Sequence, residues 1–403
     1  MDEAVKYELG FIKKILDATG PRLATTPQER QAAMIIKEEF SEITGKEAIV
    51  EQFKCAPHAS IGAIPLLGYI MLFALTPLYF TSPVGTIILG LFLLAFFLVQ
   101  IIKYKGWFDF LFPKRTSQNV YAAIEPPSGK VDYSIFFSGH VDSSWDWRLV
   151  RRWPKSIYIM VPWGVLSAIM MVFFSLLRIL DQLGILIFTG AWLYWIVIAF
   201  LPGFIYIALF FSWKNENASP GAMDDLTGIA VVAHMGRYYT ANPGKIPRNC
   251  RIVLLATGAE ECGLKGSANF VKKHLDDILY NAYVINIDGV SDLEDFHVVD
   301  GDSWLGVNYD DEFCNLAVQA MEETGVKPAT RAKNPVGGTD AASFTKKGVK
   351  ALTSLAQHME ATDYYHTARD TIDRLDPESL NKMNEVMKRL VELIDKSRSQ
   401  KSP

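Results

Sequence analysis

Ile252-Val253-Leu254-Leu255-Ala256-Thr257-Gly258-Ala259-Glu260-Glu261-Cys262-Gly263-Leu264-Lys265-Gly266-Ser267 is the stretch that decides the fold. Its apolar start, 252–256, reads as a buried strand of a sheet. Two adjacent carboxylates follow where that strand ends. Like charges leaving water repel, and burial disfavours their ionised forms, so such a pair calls for a cation.

Working outward, the chain supplies further groups at the ends of similar segments. His140 follows the strand-like Ser134-Ile135-Phe136-Phe137-Ser138-Gly139, with Asp142 two residues on. Asp224 and Asp225 sit in the Gly-bounded loop Gly221-Ala222-Met223-Asp224-Asp225-Leu226-Thr227-Gly228 that opens a helix. Asp288 ends Val284-Ile285-Asn286-Ile287, where α/β proteins place ligand groups. Tyr364-Tyr365-His366-Thr367 precedes Asp370 and a C-terminal helix. Singly each has an ordinary reading: a helix cap for the paired aspartates, a surface residue for His366. Together they are the parts of a two-metal hydrolase. Imidazole and carboxylate suit zinc, and the absence of thiolates argues against a purely structural zinc site.

Composition narrows the class. The 403 residues carry a net charge of −4 and no long basic run, which speaks against nucleic-acid binding. The four cysteines show no paired spacing, so neither a disulfide framework nor a zinc ribbon is expected. The polar start Met1-Asp2-Glu3-Ala4-Val5-Lys6 lacks the pattern of a signal peptide.

Hydrophobic residues, half of the chain, are unevenly spread. Residues 55–102 contain no Asp, Glu, Lys or Arg and break near Thr81-Ser82-Pro83; a second uncharged pair lies at 156–177 and 182–213. Each run is about 20 residues or longer, enough at ~1.5 Å per residue to cross a bilayer. The expectation is four transmembrane helices inserted as two hairpins, 55–103 and 155–213. Lys54, Lys103, Lys105, Lys114, Arg115, Arg148, Arg151, Arg152, Lys155 and Lys214 flank them on the polar-domain side, whereas the far-side turns offer only Arg178. By the positive-inside rule this is a multi-pass membrane protein whose polar domain is cytoplasmic.

The polar pieces 1–54, 104–154 and 214–403 then emerge on one side and can form one domain. Strands are expected at 48–53, 118–124, 133–138, 250–256, 283–288, 296–299 and 351–355. Helices are expected at 2–18, 29–43, 226–239, 267–279, 311–324 and 377–397, the last with Asp376 as N-cap and Pro377 in its first turn. This alternation implies an α/β fold, a mixed sheet flanked by helices.

In order and spacing these fragments resemble the co-catalytic di-zinc aminopeptidase family that includes bacterial leucyl aminopeptidase, aminopeptidase Y and glutamate carboxypeptidase II. The resemblance runs through Gly20-Pro21-Arg22-Leu23-Ala24-Thr25-Thr26-Pro27, Asn119-Val120-Tyr121-Ala122, His140-Val141-Asp142-Ser143, Glu260-Glu261-Cys262-Gly263-Leu264 and Tyr365-His366-Thr367-Ala368-Arg369-Asp370-Thr371. The hydrophobic hairpins lie outside it. It implies a zinc-exopeptidase-like fold holding two Zn2+ ions. Asp224 would bridge them, His140 and Asp288 would complete one site, and Glu261 and His366 the other. Asp142 would hold the second ring nitrogen of His140, Glu260 would be the general base, and Tyr365 would stabilise the oxyanion. The chain departs from many relatives at Ala341, in Gly337-Gly338-Thr339-Asp340-Ala341, where they have a histidine; the substrate pocket and any role of Asp340 stay open.

The expected activity is that of a membrane-embedded zinc exopeptidase, an aminopeptidase first. A carboxypeptidase or other amide hydrolase on the same site is the enzymatic alternative, and a non-catalytic receptor-like member of the fold the other. The expected partners are a peptide substrate, hydrophobic or membrane-proximal, and the lipid bilayer; oligomeric state is left open. Because the second hairpin separates His140 from Asp224, the cleft is expected near the membrane surface. Trp145, Trp147, Trp153 and Trp213 are candidates either for interfacial anchors or for core packing.

Overall fold

A computed structural model describes residues 2–186 and 191–401. Its centre is one mixed sheet of nine strands among the described residues. These are β1 (Ile49–Cys55), β2 (Arg115–Ile124), β3 (Tyr133–His140), β4 (Cys250–Thr257), β5 (Ala282–Val290), β6 (Phe296–Asp302), β7 (Val307–Asn308), β8 (Thr330–Asn334) and β9 (Lys350–Ala356). The order is β1-β2-β4-β3-β5-β9-β6-β7, with β8 paired to β6. β4, β3, β5 and β9 run parallel, in register from Tyr133 opposite Cys250 to His140 opposite Thr257.

Burial on both faces explains why these central strands read as continuous apolar runs. Every residue of β3 is buried. Successive side chains on a strand point to opposite faces. Phe136 meets Phe270 of the helix Lys265–His274, while Phe137 stacks on Tyr239 of the helix Gly228–Ala241. The two helices therefore lie on opposite faces of the sheet. Glu3–Thr19, Pro27–Thr44 and Pro377–Lys401 pack around Gly228–Ala241, and Ala341–Thr345 packs beside Lys265–His274.

All seven expected strands are present. The two missed ones are β7, two residues long, and β8, whose Thr-Arg-Ala-Lys-Asn carries no apolar alternation because no residue of it is fully buried.

Among the described residues, three helices are long and apolar enough to cross a membrane: Ile61–Thr81, Pro83–Ile102 and Pro154–Gln182. The fourth expected run differs. Its apolar helix, Trp192–Ala208, is shorter, and residues 187–190 of that run lie outside the described residues. Arg178 also differs from expectation. It lies inside the helix Pro154–Gln182 rather than in a turn, only 5% exposed, with its guanidinium over the rings of Tyr79 and Tyr194 at 5.1 and 4.5 Å. Outward faces stay apolar: Phe73 is 75% exposed, Ile159 67% and Ile88 66%.

The apolar helices dock directly on the sheet domain. Trp145, 2% exposed, stacks on Phe211 at 4.8 Å, and Trp147 lies 5.1 Å from Phe210. Both are packing residues of the junction rather than interfacial anchors, since their rings are spent on this contact. Trp153 and Trp213 keep exposed surface, and the Trp213 indole N–H donates to the Gly62 carbonyl at 2.7 Å. Lys265 pairs with Asp109 at 3.0 Å, and the Lys103 ammonium donates to the Trp304 carbonyl at 2.5 Å.

Candidate active site

Around β3 the strand order reverses: β4 lies on one side, β5 on the other, and a crevice opens beyond their carboxyl ends. β3 ends on His140, and β4 runs through Thr257 into Glu260 and Glu261. Asp288 sits where the β5–β9 ladder slips between Ile287 and Val290. Asp224 comes from the loop before Gly228–Ala241, which approaches β5 closely because Gly228 has no side chain. A Cβ there would stand 2.3 Å from the Ile287 carbonyl oxygen. His366 arrives from the turn ahead of the C-terminal helix.

These side chains converge as two triads sharing one carboxylate: His140, Asp224 and Asp288, then Asp224, Glu261 and His366, with ligand atoms within 4.8 Å of one another in each. His140 Nε2 lies 3.0 Å from Asp224 Oδ1 and 4.0 Å from Asp288 Oδ1. His366 Nε2 lies 2.9 Å from Asp224 Oδ2 and 3.3 Å from Glu261 Oε1. Glu260 is buried beside them and belongs to neither triad. Tyr365 stacks on His366 with ring centroids 3.9 Å apart.

Asp142 is placed differently from the expected partner of His140. It is its main-chain carbonyl that lies 3.0 Å from His140 Nδ1; the carboxylate is 3.7 Å away. That carboxylate instead accepts the backbone N–H groups of Glu260 at 3.0 Å and Glu261 at 3.2 Å. The turn after β4 presents two N–H groups side by side, and a carboxylate with two oxygens satisfies both.

Several supporting residues were invisible as such in the sequence. Asp225 accepts the N–H of His140 at 2.9 Å, of Gly228 at 3.0 Å and of Gly289 at 3.2 Å, tying together three of the segments that carry ligands. Asp370 accepts from Met223 and Asp224 at 2.7 and 3.2 Å. Arg22, 0% exposed, donates to the carbonyls of Val141, Gly20, Pro220 and Gly221 at 2.7–3.0 Å. Its charge lies among Asp370, Asp142, Asp224 and Asp225. The only signal for these residues was their place in the motifs quoted above. Asp340, left open by the sequence, is buried and accepts from the Thr257 hydroxyl; Ala341 is buried in the short helix behind it.

Electrostatics state what the cluster is suited to hold. Burial first, then crowding by like charges, pushes Glu260 and Glu261 well above the usual carboxylate range, and Asp288 to about 7. Burial also raises Asp224, but hydrogen bonds from His140 and His366 outweigh it and hold that carboxyl low. His140 is raised because Asp142 and Asp224 outweigh its desolvation. Glu261 Oε1 is buried without a hydrogen-bond donor. Four crowded carboxylates, two imidazoles turned toward one of them and an acceptor without a donor fit a pair of divalent cations. Burial and the charges of Asp224 and Glu261 raise the Tyr365 phenol, so it remains a donor.

The centre opens into a cavity of about 350 Å3 whose wall includes Tyr104, Trp147, Tyr365 and the loop from Asn334 to Thr339.

Residues 209–391 match the model of peptidase family M28. The aminopeptidase YwaD of Bacillus subtilis (strain 168) is 26% identical in an alignment of 199 residues that covers 46% of this chain. The chain spans 40% of the length of that curated relative. Among solved structures, the fold is similar to BSAP, a zinc aminopeptidase from Bacillus subtilis, with a TM-score of 0.58 at 16% identity over 96% of this chain and 94% of that one. It is also similar to a glutaminyl cyclase from an Acidobacteriales bacterium, with a TM-score of 0.57 at 15% identity over 98% of this chain and 96% of that one. His140 and Asp142 precede the matched stretch, with the helix Pro154–Gln182 in between. Residues 209–391 are thus a peptidase family M28 region, in a chain whose sequence and fold are similar to those of zinc aminopeptidases.

Proposed function

We propose that the chain is a membrane-embedded, zinc-dependent exopeptidase, an aminopeptidase, acting on hydrophobic or membrane-proximal peptides. The observation that carries this reading is the pair of triads sharing Asp224, with Glu260 beside them and outside both. His140, Asp224 and Asp288 would hold one zinc ion, and Asp224, Glu261 and His366 a second. When bound, the two ions would acidify a water molecule and polarise the scissile carbonyl. Glu260 takes the proton from the attacking water and delivers it to the leaving amine as the C–N bond breaks. The protonated Tyr365 hydroxyl donates to the oxygen on which negative charge develops. Asp142 positions Glu260 and Glu261 through their backbone N–H groups.

The membrane reading is supported by three apolar helices of spanning length and by their exposed apolar faces, which water would not tolerate over such an extent. The fourth apolar helix would complete the second hairpin. The basic residues flanking the helices on the sheet-domain side support a cytoplasmic catalytic domain. A full set of ligand candidates argues against a receptor-like role.

A peptide-library digest with N-blocked and C-blocked versions tests the reading. An aminopeptidase trims free N-termini and spares N-blocked peptides. Trimming that requires a free C-terminus instead would assign a carboxypeptidase, and a zinc-loaded protein that cleaves no peptide would contradict the proposal.

A further inference from the structure

The cavity at the metal centre continues away from the sheet, between the apolar helices. One continuous wall links His140, Asp224 and Glu260 to Leu67 and Met71 of the helix Ile61–Thr81, and to Leu94 of Pro83–Ile102. The helix Pro154–Gln182 contributes from Ile157 to Ala168. That stretch is roughly 16 Å of helix axis at about 1.5 Å per residue. None of the helix residues in this wall is charged. The polar groups concentrate at the other end, with the metal-ligand candidates, Asn334, Thr339 and Gln357.

This polarity says what can lie there. A peptide threaded along the apolar part would bury backbone N–H and C=O groups against a wall with almost nothing to pair them, at about 1–3 kcal/mol for each. A hydrocarbon chain has no such groups, and each methylene taken from water is favourable. Apolar surroundings at one end and convergent polar groups at the other suit an amphipathic ligand.

We infer that the substrate class of this site is an amide carrying one long, unbranched hydrocarbon chain, held between the apolar helices while its amide bond sits at the metal centre. The inference rests on the reading of that centre as an amide hydrolase and names what it hydrolyses. The chain length is set by the cavity, not by the residue next to the bond.

Two measurements test it separately from that reading. First, metal-free full-length protein in lipid nanodiscs is photolabelled with a dodecyl amide bearing a terminal diazirine, and the adducts are mapped by mass spectrometry. Labels are expected on the cavity-facing Leu94, Val165 and Ala168. Labels confined to outward residues such as Phe73 and Ile88 would overturn the inference. Second, zinc-loaded protein is assayed on leucine alkylamides and N-acyl leucines with chains from butyl to dodecyl. kcat/KM in one of the two series is expected to rise about threefold to fourfold per added methylene until the cavity is filled. Val165→Trp and Leu94→Trp, on different helices, should each cut the dodecyl-to-butyl ratio at least tenfold, with butyl turnover reporting an intact fold. Hydrolysis of short amides with no chain-length gain, or with the same gain in both variants, would refute the inference and leave the hydrolase reading standing. Cavity labelling with no amide cleaved at any length would overturn the hydrolase reading and with it the substrate assignment, leaving only a hydrocarbon-binding cavity.

Discussion

Replacing Asp142 with asparagine isolates a residue whose work is done through backbone groups. Its carboxylate accepts N–H bonds from Glu260 at 3.0 Å and Glu261 at 3.2 Å, inside a fully buried site. An amide keeps one acceptor oxygen and turns an NH2 group toward the other N–H. One charge-assisted bond, worth about 1.5–3 kcal/mol, is lost, and a buried N–H is left unpaired at about 1–3 kcal/mol. If the fold absorbs half of this, the melting temperature falls by several degrees. The rest appears as a displaced turn, and about 2 kcal/mol at Glu260 alone lowers kcat roughly thirtyfold. Metal affinity falls as well, by about 10–100-fold, as is usual for groups that support ligands. Steady-state peptide hydrolysis at increasing zinc separates the two effects. The kcat deficit of Asp142→Asn is expected to persist at saturating zinc, because Glu260 itself is misplaced. Full recovery of kcat with excess zinc would show that Asp142 supports only the ligand candidates His140 and Glu261 and does not place Glu260.

Glu8 gives a pH dependence remote from the metal centre: burial raises its carboxyl from 4.5 to about 8, with Asn384 and Lys388 as the opposing influences. A raised folded-state value means the folded form keeps a proton that the unfolded chain releases. This contribution is therefore full below pH 4.5 and is lost as pH rises through 8, at up to about 1.4 kcal/mol per pH unit. Urea unfolding across that window should show a steeper loss for wild type than for Glu8→Gln; parallel curves would contradict it. Arg22→Met leaves four carbonyls without their donor, two of them buried, and should destabilise by about 2–6 kcal/mol, or abolish expression of folded protein. Arg22→Lys, with no planar fork, should rescue only part of that loss. Gly266→Ala places a Cβ 2.1 Å from the Gly258 carbonyl oxygen, so the turn bearing Glu260 must move. A stability loss of about 1–3 kcal/mol with reduced kcat is expected in thermal melts and rate assays. Chelation should lower the melting temperature by returning the crowded carboxylates to mutual repulsion, and zinc should restore it.

The sheet was legible because its central strands are buried on both faces and so carry unbroken apolar runs. β8 was not, since an edge strand with half-exposed residues leaves no periodic signal. The ligand candidates were legible because ligand groups cluster at strand ends and in loops ahead of helices. The structure draws His140, Asp224, Glu261, Asp288 and His366 together from segments up to 226 residues apart. What holds them there was not legible. Arg22 and Asp225 act on backbone groups of distant segments, and main-chain hydrogen bonds leave no mark on composition. Asp142 shows the same limit: its spacing suggested a bond to a side chain, whereas its carboxylate serves two N–H groups. Trp145 and Trp147 could have been anchors or core, and only the packing of Phe210 and Phe211 against them decides. Arg178 misled because a charge next to an apolar run reads as a turn, while two aromatic rings allow it inside the helix bundle.

The most direct test of the central claim is Glu260→Gln, measured as zinc content and as peptide turnover on the same preparation. Glu260 lies outside both ligand triads, so zinc should be retained at about two ions per chain while kcat falls about 10²–10⁴-fold. Turnover near the wild-type rate, or loss of zinc together with activity, would contradict its assignment as the group that moves the proton.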